Sequence, residues 1–73
     1  MTTRLPHVSG ADVVRALERA GFAFRSQKGS HRKMRHPDGR TAIVPMHREL
    51  APGTLRSILK QAGLSADQLR DLL

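Results

Sequence analysis

Cysteine, tryptophan and tyrosine are absent from this sequence of 73 residues, and phenylalanine occurs only twice. Without cysteine the chain can form neither a disulfide framework nor a thiolate metal site, which is typical of proteins from a reducing compartment. No stretch approaches the roughly 18 apolar residues of a membrane span, and the N-terminal residues lack the apolar core of a signal peptide. We therefore expect a cytoplasmic protein with no membrane segment.

Acidic residues are also scarce, with six Asp and Glu against 13 Lys and Arg and a net charge of +7. The segment from Arg25 to Arg48 holds seven of the basic residues and a single acid, Asp38, while the rest of the chain is almost neutral. Concentrated positive charge attracts a polyanion because binding releases condensed counterions. The charge pattern therefore indicates RNA or DNA binding, with a solvated surface or an acidic protein partner as the alternative.

The length fits a single domain, residues 1–73, in which residues 1–7 form an N-terminal tail. A chain of this size buries only about 60% of the surface that its unfolded form exposes, so its core is thin. Both Phe22 and Phe24 are expected in that core. Stacking of nucleobases on an aromatic platform is therefore not expected.

Helices are predicted at both ends of the chain. Ser9 and Asp12 have the spacing of a capping box, and the helix that they start ends at the turn of Gly21. A second helix spans residues 52–63, with proline in its first turn and glycine at its end. Another capping box begins a short last turn over residues 65–72.

Between the helices the apolar residues alternate with a period of two, which predicts strands over residues 22–27, 31–36 and 41–44. Turn-forming residues separate them at Lys28-Gly29 and at residues 37–40. The predicted fold is α+β, in the order α-β-β-β-α, with a three-stranded antiparallel sheet. Both helices should cover the same face of this sheet, because a sheet this small needs such a cover for stability.

Met34 is the only large apolar residue of the second strand, so it should face the helices. Alternation then places His31, Lys33 and Arg35 on the opposite, open face. The core is expected to contain Val13, Leu17, Phe22, Phe24, Met34, Leu55, Ile58 and Leu59, with either Ile43 or Val44 from the third strand.

A histidine on an open basic face can contact a phosphodiester. His31 could deprotonate a ribose 2′-hydroxyl or protonate the leaving 5′-oxygen. A cation such as Lys28, Lys33 or Arg35 would stabilise the extra negative charge on phosphorus. A passive phosphate contact by His31 is the alternative interpretation.

The other three histidines are weaker candidates for a catalytic role. His36 should be packed or cap a turn, and His7 has no assigned role. His47 follows the third strand and could reach the open face as a second acid or base, or simply make a loop contact. The histidine spacing matches neither a helical pair of metal ligands nor a compact cluster, so no metal is expected.

Four segments together resemble the HicA family of small bacterial and archaeal toxins, over about Val8 to Leu69. They include a Gly-Ser-His triplet at residues 29–31, a Val-Pro-x-His element at residues 44–47 and a Pro-Gly-Thr-Leu helix start at residues 52–55. The segments are VSGADVVRALERAGF, QKGSHRKMRHPDGR, AIVPMHREL and PGTLRSILKQAGLS.

The resemblance implies a fold like that of a double-stranded-RNA-binding domain and cleavage of mRNA without a metal or cofactor. It also implies a HicB-type antitoxin that binds the toxin in a hetero-oligomeric complex. The family's catalytic histidine is that of the Gly-Ser-His element, here His31, and His47 is the second catalytic candidate. The expected RNA contacts are Lys28, Ser30, Arg32, Lys33, Arg35 and Arg40.

The sequence departs from ordinary double-stranded-RNA-binding domains at one helix start. Pro52-Gly53-Thr54 stands where those domains carry a basic cluster, so binding of regular RNA duplexes does not follow from the resemblance.

Two other functional classes remain open. One is an RNA-binding module without catalysis, and the other is a small interaction protein whose basic face docks an acidic partner.

Overall fold

The computed structural model describes residues 5–73, so the first four residues of the predicted tail lie outside the described part. The predicted α+β architecture is confirmed, and the short last turn is a separate helix of seven residues. The elements in chain order are α1 (Gly10–Arg19), β1 (Ala23–Lys28), β2 (His31–Arg35), β3 (Thr41–Pro45), α2 (Pro52–Ala62) and α3 (Ala66–Leu72).

Local chemistry sets the ends of the helices as predicted. The Ser9 side chain accepts a hydrogen bond from the backbone N–H of Asp12, whose carboxylate accepts one from the Ser9 backbone. Ser65 and Gln68 form the same reciprocal pair at α3. Gly63 ends α2 in a left-handed conformation, with φ of 69°. Each terminus thus satisfies backbone groups that a helix end leaves unpaired.

The sheet is antiparallel with β2 in the centre, in the order β1-β2-β3. A two-residue turn joins β1 to β2, because Lys28 pairs with His31 across it. Gly29, the first residue of this turn, has φ of 58°, the sign that a type II′ hairpin turn requires there. A bulge at Arg25 interrupts the β1–β2 register between Phe24 and Ser26.

The core lies between the helices and one face of the sheet. Met34 is fully buried, and its partner Ala42 and the nearby Val44 are buried with it. Both α1 and α2 pack against β3. Val44 therefore supplies the third strand's core residue, while Ile43 is 38% exposed on the other face. No helix among residues 5–73 is both long and apolar enough to cross a membrane.

The prediction that Phe24 belongs to the core is wrong. Phe24 pairs with Met34, which puts both side chains on the same face, yet Phe24 is 58% exposed. The reason is its place on an edge strand: all six residues of β1 are exposed. Phe22, one residue before β1, is only 3% exposed, and its N–H donates to the Leu17 carbonyl.

Candidate active site and nucleic-acid interface

The open face of the sheet carries four residues of the predicted site. With Met34 buried against the helices, His31, Lys33 and Arg35 lie on the opposite face, as alternation predicts. Lys28 joins them because it pairs directly with His31 across the hairpin. His31, Arg35 and Lys28 are exposed, and Lys33 is half-buried, in register with Ser26 and Ile43.

The strands contribute no carboxylate that could neutralise this open face. The three strands contain no Asp or Glu. Among the described residues, none of the ion pairs involves Lys28, Lys33 or Arg35. The positive charge of the open face is therefore available to an external anion.

His31 stands at the start of β2, directly after the Gly29–Ser30 turn. Its backbone is held between Lys28 on one side and Pro45 on the other. Within residues 5–73 no side chain or backbone group forms a hydrogen bond to its imidazole. The strand ladder thus fixes the position of His31 while both ring nitrogens remain open to a ligand.

The loop that carries His47 is anchored at the same end of the sheet. The Met46 N–H donates to the Ser30 carbonyl at 2.6 Å, so the loop lies beside the hairpin turn. On its other side the His47 carbonyl accepts the Gly10 N–H at 2.9 Å. The structure thus brings the backbones of Ser30 and His47 to one corner, and the His47 side chain is exposed.

Arg32 lies on the helix-covered face rather than the open face. It pairs with Gln27 on β1 and Val44 on β3, and it stands two residues before Met34, so the two side chains share a face. Its Nε donates to Gln27 Oε1 at 2.9 Å, and its guanidinium lies 5.5 Å from the centroid of the Phe24 ring. Ser30, in the hairpin turn, is exposed next to His31.

Arg40 also lies away from the open face. Its Nη1 donates to the Ala62 carbonyl at 2.5 Å, at the end of α2, and its Nε donates to Asp38 Oδ2 at 2.8 Å. The guanidinium lies 5.2 Å from the Phe22 ring centroid. These contacts tie the β2–β3 turn to α2, so Arg40 has a structural role that its place in the basic segment did not indicate.

His36 and His7 lie outside the candidate site. The His36 ring packs edge-on against Phe22 at 5.2 Å, and its Nδ1 accepts the Asp38 N–H at 3.1 Å, as a packed, turn-capping residue would. His7 Nδ1 lies 3.0 Å from Glu49 Oε1. The described residues bring together no group of three His, Asp or Glu side chains that could hold a metal ion.

Two aspartates away from the open face have perturbed acidity. The pKa of Asp38 is lowered, chiefly because its carboxylate accepts the Arg40 backbone N–H and also because the Arg40 guanidinium is near. The pKa of Asp12 is lowered by hydrogen bonds from the Ser9 backbone and hydroxyl. Both carboxylates hold local structure in place: a turn in one case and a helix start in the other.

Two residues with a bearing on the site were missed from the sequence. Gly10 holds the His47 loop through its N–H, and its only signal was a glycine in the first turn of a helix, where alanine is the better helix former. Phe24 is exposed on β1, and alternation alone did not reveal this because the helices leave that strand uncovered.

The open face of this small basic domain combines an exposed histidine with cations that form no ion pair among residues 5–73. The family model described as "HicA toxin of bacterial toxin-antitoxin" matches residues 10–64, from the first residue of α1 to the residue after the α2 C-cap. The class is therefore that of toxin–antitoxin components. Within it, the chain belongs to the HicA toxin family. No curated protein matches the chain.

Proposed function

We propose that this chain is an endoribonuclease that cleaves mRNA, the toxin of a type II toxin–antitoxin system, with His31 as general acid or base. One observation carries the proposal. Within residues 5–73, the exposed His31 imidazole has no hydrogen-bond partner, and the cations of the same face, Lys28, Lys33 and Arg35, have no carboxylate partner. Membership of a toxin family supports it.

The proposed reaction is an internal transfer at phosphorus. The 2′-oxygen attacks the adjacent phosphate as a base takes its proton, and the bond to the 5′-oxygen breaks as an acid supplies a proton. His31 performs one of these transfers, since imidazole can both accept and donate a proton near neutral pH. Lys28, directly across the hairpin, and Lys33, on the same face, stabilise the charge that builds on phosphorus.

His47 is proposed as the second proton-transfer group. Its loop is bonded to Ser30, the residue before His31, through the Met46 N–H. Cleavage needs both an acid and a base, and His31 and His47 at one corner of the sheet would supply the two groups. The proposal assigns no step to a metal or cofactor, so cleavage should persist in the presence of a chelator.

The antitoxin of the system is proposed to be of the HicB type and to cover the open face. A cationic face with a free histidine is complementary to a surface that presents carboxylates. Such a partner would pair acids with Lys28, Lys33 and Arg35 and exclude RNA from His31. A purified complex in which His31 remained open to solvent while RNA cleavage continued would contradict this arrangement.

The test of the nuclease is His31→Ala in the purified protein, with labelled RNA as substrate. Cleavage should slow by roughly 10²–10⁴-fold, because one acid or base is removed. RNA affinity should largely survive, since the cations remain. His7→Ala is the matched control, because His7 is also exposed but pairs with Glu49 away from the site.

The same experiment separates catalysis from binding. Circular dichroism should show His31→Ala to be folded, since an exposed strand position contributes within about 0.5 kcal/mol to stability. If the folded variant still shortened RNA at the wild-type rate, His31 would not be catalytic. If no variant, including the wild type, shortened RNA but all bound it in a salt-dependent manner, the chain would be a non-catalytic RNA-binding module.

A further inference from the structure

The most exposed large apolar side chain among residues 5–73 is that of Phe24. It stands on β1, the edge strand that the helices leave uncovered, and it faces the same side of the sheet as Met34. The other phenylalanine, Phe22, is buried and packs against His36. An exposed aromatic ring in a chain with so few of them calls for an explanation other than packing.

The surroundings of Phe24 are polar and cationic. Arg32 lies diagonally across the β1–β2 ladder, with its guanidinium 5.5 Å from the ring centroid. Gln27 accepts a hydrogen bond from Arg32 Nε at 2.9 Å and so fixes the orientation of the guanidinium plane. An aromatic ring beside an oriented arginine is the arrangement on which unpaired nucleobases stack in proteins that bind single-stranded nucleic acid.

From these contacts we infer that Phe24 and Arg32 form a stacking site for an unpaired base of the RNA. This site lies on the β1 edge and is distinct from the proposed cleavage site at His31 and His47. The inference rests on the proposed function, because that function supplies single-stranded RNA as the ligand. It adds a contact that holds a base, whereas Lys28, Lys33 and Arg35 hold phosphates.

The placement of the two sites is compatible with one RNA strand. Phe24 pairs with Met34, three residues along β2 from His31, which corresponds to about 10 Å of strand length. Phe24 is on the helix-covered face and His31 on the open face, so the strand would cross the β1 edge between them. The exposed residues of β1 leave that path clear, and Lys28 lies on it beside His31.

Charge and ring chemistry favour a nucleic acid as the ligand of the β1 edge. None of the ion pairs among the described residues includes Arg25, Lys28 or Arg32, all on or next to β1, so the edge attracts a polyanion. An apolar partner would gain only one ring here. A nucleic acid supplies both the phosphates for the cations and a flat base for Phe24.

The experiment uses the full chain with His31→Ala, so that RNA stays intact, and adds Phe24→Trp. The sequence contains no tryptophan, so the introduced indole is the only one and its fluorescence reports on this site alone. A short single-stranded RNA should quench the indole as a base stacks on it. The same oligonucleotide with abasic residues, and inorganic polyphosphate, should bind the cations without that quenching.

The second measurement is the affinity for RNA, again with variants that also carry His31→Ala. Phe24→Leu keeps an apolar side chain but removes the ring, and it should weaken binding of the RNA by at least about fivefold. Its affinity for inorganic polyphosphate should be unchanged. Phe24→Tyr, which keeps the ring, should bind the RNA like the parent. Because Phe24 is exposed, these variants should fold as the parent does.

The outcomes separate this inference from the proposed function. If RNA bound without quenching the indole, and Phe24→Leu bound as tightly as the parent, the stacking site would be absent while His31-dependent cleavage could still hold. If Phe24→Leu weakened antitoxin binding and left RNA affinity unchanged, the edge would be a protein-docking surface and the inference would be wrong. Failure of every variant to bind RNA would overturn both proposals.

Discussion

Gly10, the first residue of α1, lies against the backbone of Pro45 at the end of β3 with no room for a side chain between them. A Cβ at Gly10 would lie 2.9 Å from the Met46 Cα and closer still to the Pro45 carbonyl oxygen. The Gly10 N–H donates to the His47 carbonyl at 2.9 Å. The N-terminus of α1 therefore sets the position of the loop that carries His47.

The first prediction concerns Gly10→Ala. The added methyl group must displace the backbone of the Pro45–His47 segment, because the atoms that it meets are not the flexible ends of side chains. Overpacking of this kind costs about 1–3 kcal/mol. We expect thermal unfolding to shift down by several degrees and cleavage to fall with it, as His47 moves relative to His31.

The matched control for that change is Gly53→Ala. Gly53 is in the first turn of α2, and a Cβ there would meet no atom of residues 5–73 within 4 Å. Alanine should stabilise the protein by about 0.4–1 kcal/mol, since it lowers the entropy of the unfolded chain. A Gly10→Ala variant as stable as Gly53→Ala would show that the close approach to Pro45 does not constrain the loop.

The second prediction distinguishes two arginines of the basic segment. Arg40 bonds Asp38 and the Ala62 carbonyl and lies over Phe22, so Arg40→Ala should destabilise the fold by about 1–2 kcal/mol. Arg35 is exposed on the open face and forms no ion pair among the described residues, so Arg35→Ala should leave stability within about 0.5 kcal/mol. Chemical denaturation measures both values.

RNA affinity should show the opposite order. Arg35→Ala removes a phosphate contact, so it should weaken binding and reduce the steepness of its salt dependence. Arg40→Ala should bind RNA like the wild type under conditions where it is folded. A salt slope that fell for Arg40→Ala and not for Arg35→Ala would show that the RNA contacts the β2–β3 turn rather than the open face.

The fold was largely predictable because its signals are local. Capping residues such as Ser9 and Ser65 set the helix starts within a few residues. The alternation around the buried Met34 is equally local, and it places His31 on the open face. Neither Phe24 nor Arg40 could be placed in this way. Whether a strand residue is covered depends on how far the helices extend, and the partner of Arg40 at Ala62 is 22 residues away.

The third prediction concerns acid. The pKa of Asp38 is lowered in the folded protein by hydrogen bonds and charge from Arg40. A lowered pKa means that this carboxylate contributes stability above its unfolded pKa of about 3.9, and that the contribution is lost as pH falls through the lower folded value. The Asp12 cap behaves in the same way. Thermal unfolding should therefore move to lower temperature as pH drops below about 5.

The variant Asp38→Asn tests this linkage. It removes the titrating group, so its unfolding temperature should be lower than that of the wild type at neutral pH and should approach the wild-type value in acid. Asp71→Asn is the control, because Asp71 forms no ion pair among the described residues. A constant difference between Asp38→Asn and the wild type across the acid range would show that the Asp38 contacts do not depend on its charge.

The last prediction concerns His47. Its backbone carbonyl holds the Gly10 N–H, whereas its side chain is exposed, so His47→Ala should leave the loop and the fold in place. If His47 is the second proton-transfer group, the variant should lose cleavage by about as much as His31→Ala, roughly 10²–10⁴-fold.

The pH–rate profile separates the two roles of His47, because a pair of acid and base gives a bell-shaped curve and removal of one member abolishes one limb. The double variant should be little slower than either single one, since groups that act as a unit are not additive. A His47→Ala variant that cut RNA at the wild-type rate with an unchanged profile would leave His47 with a structural role only, carried by its carbonyl, and the second acid or base would have to be sought among the other groups at this corner.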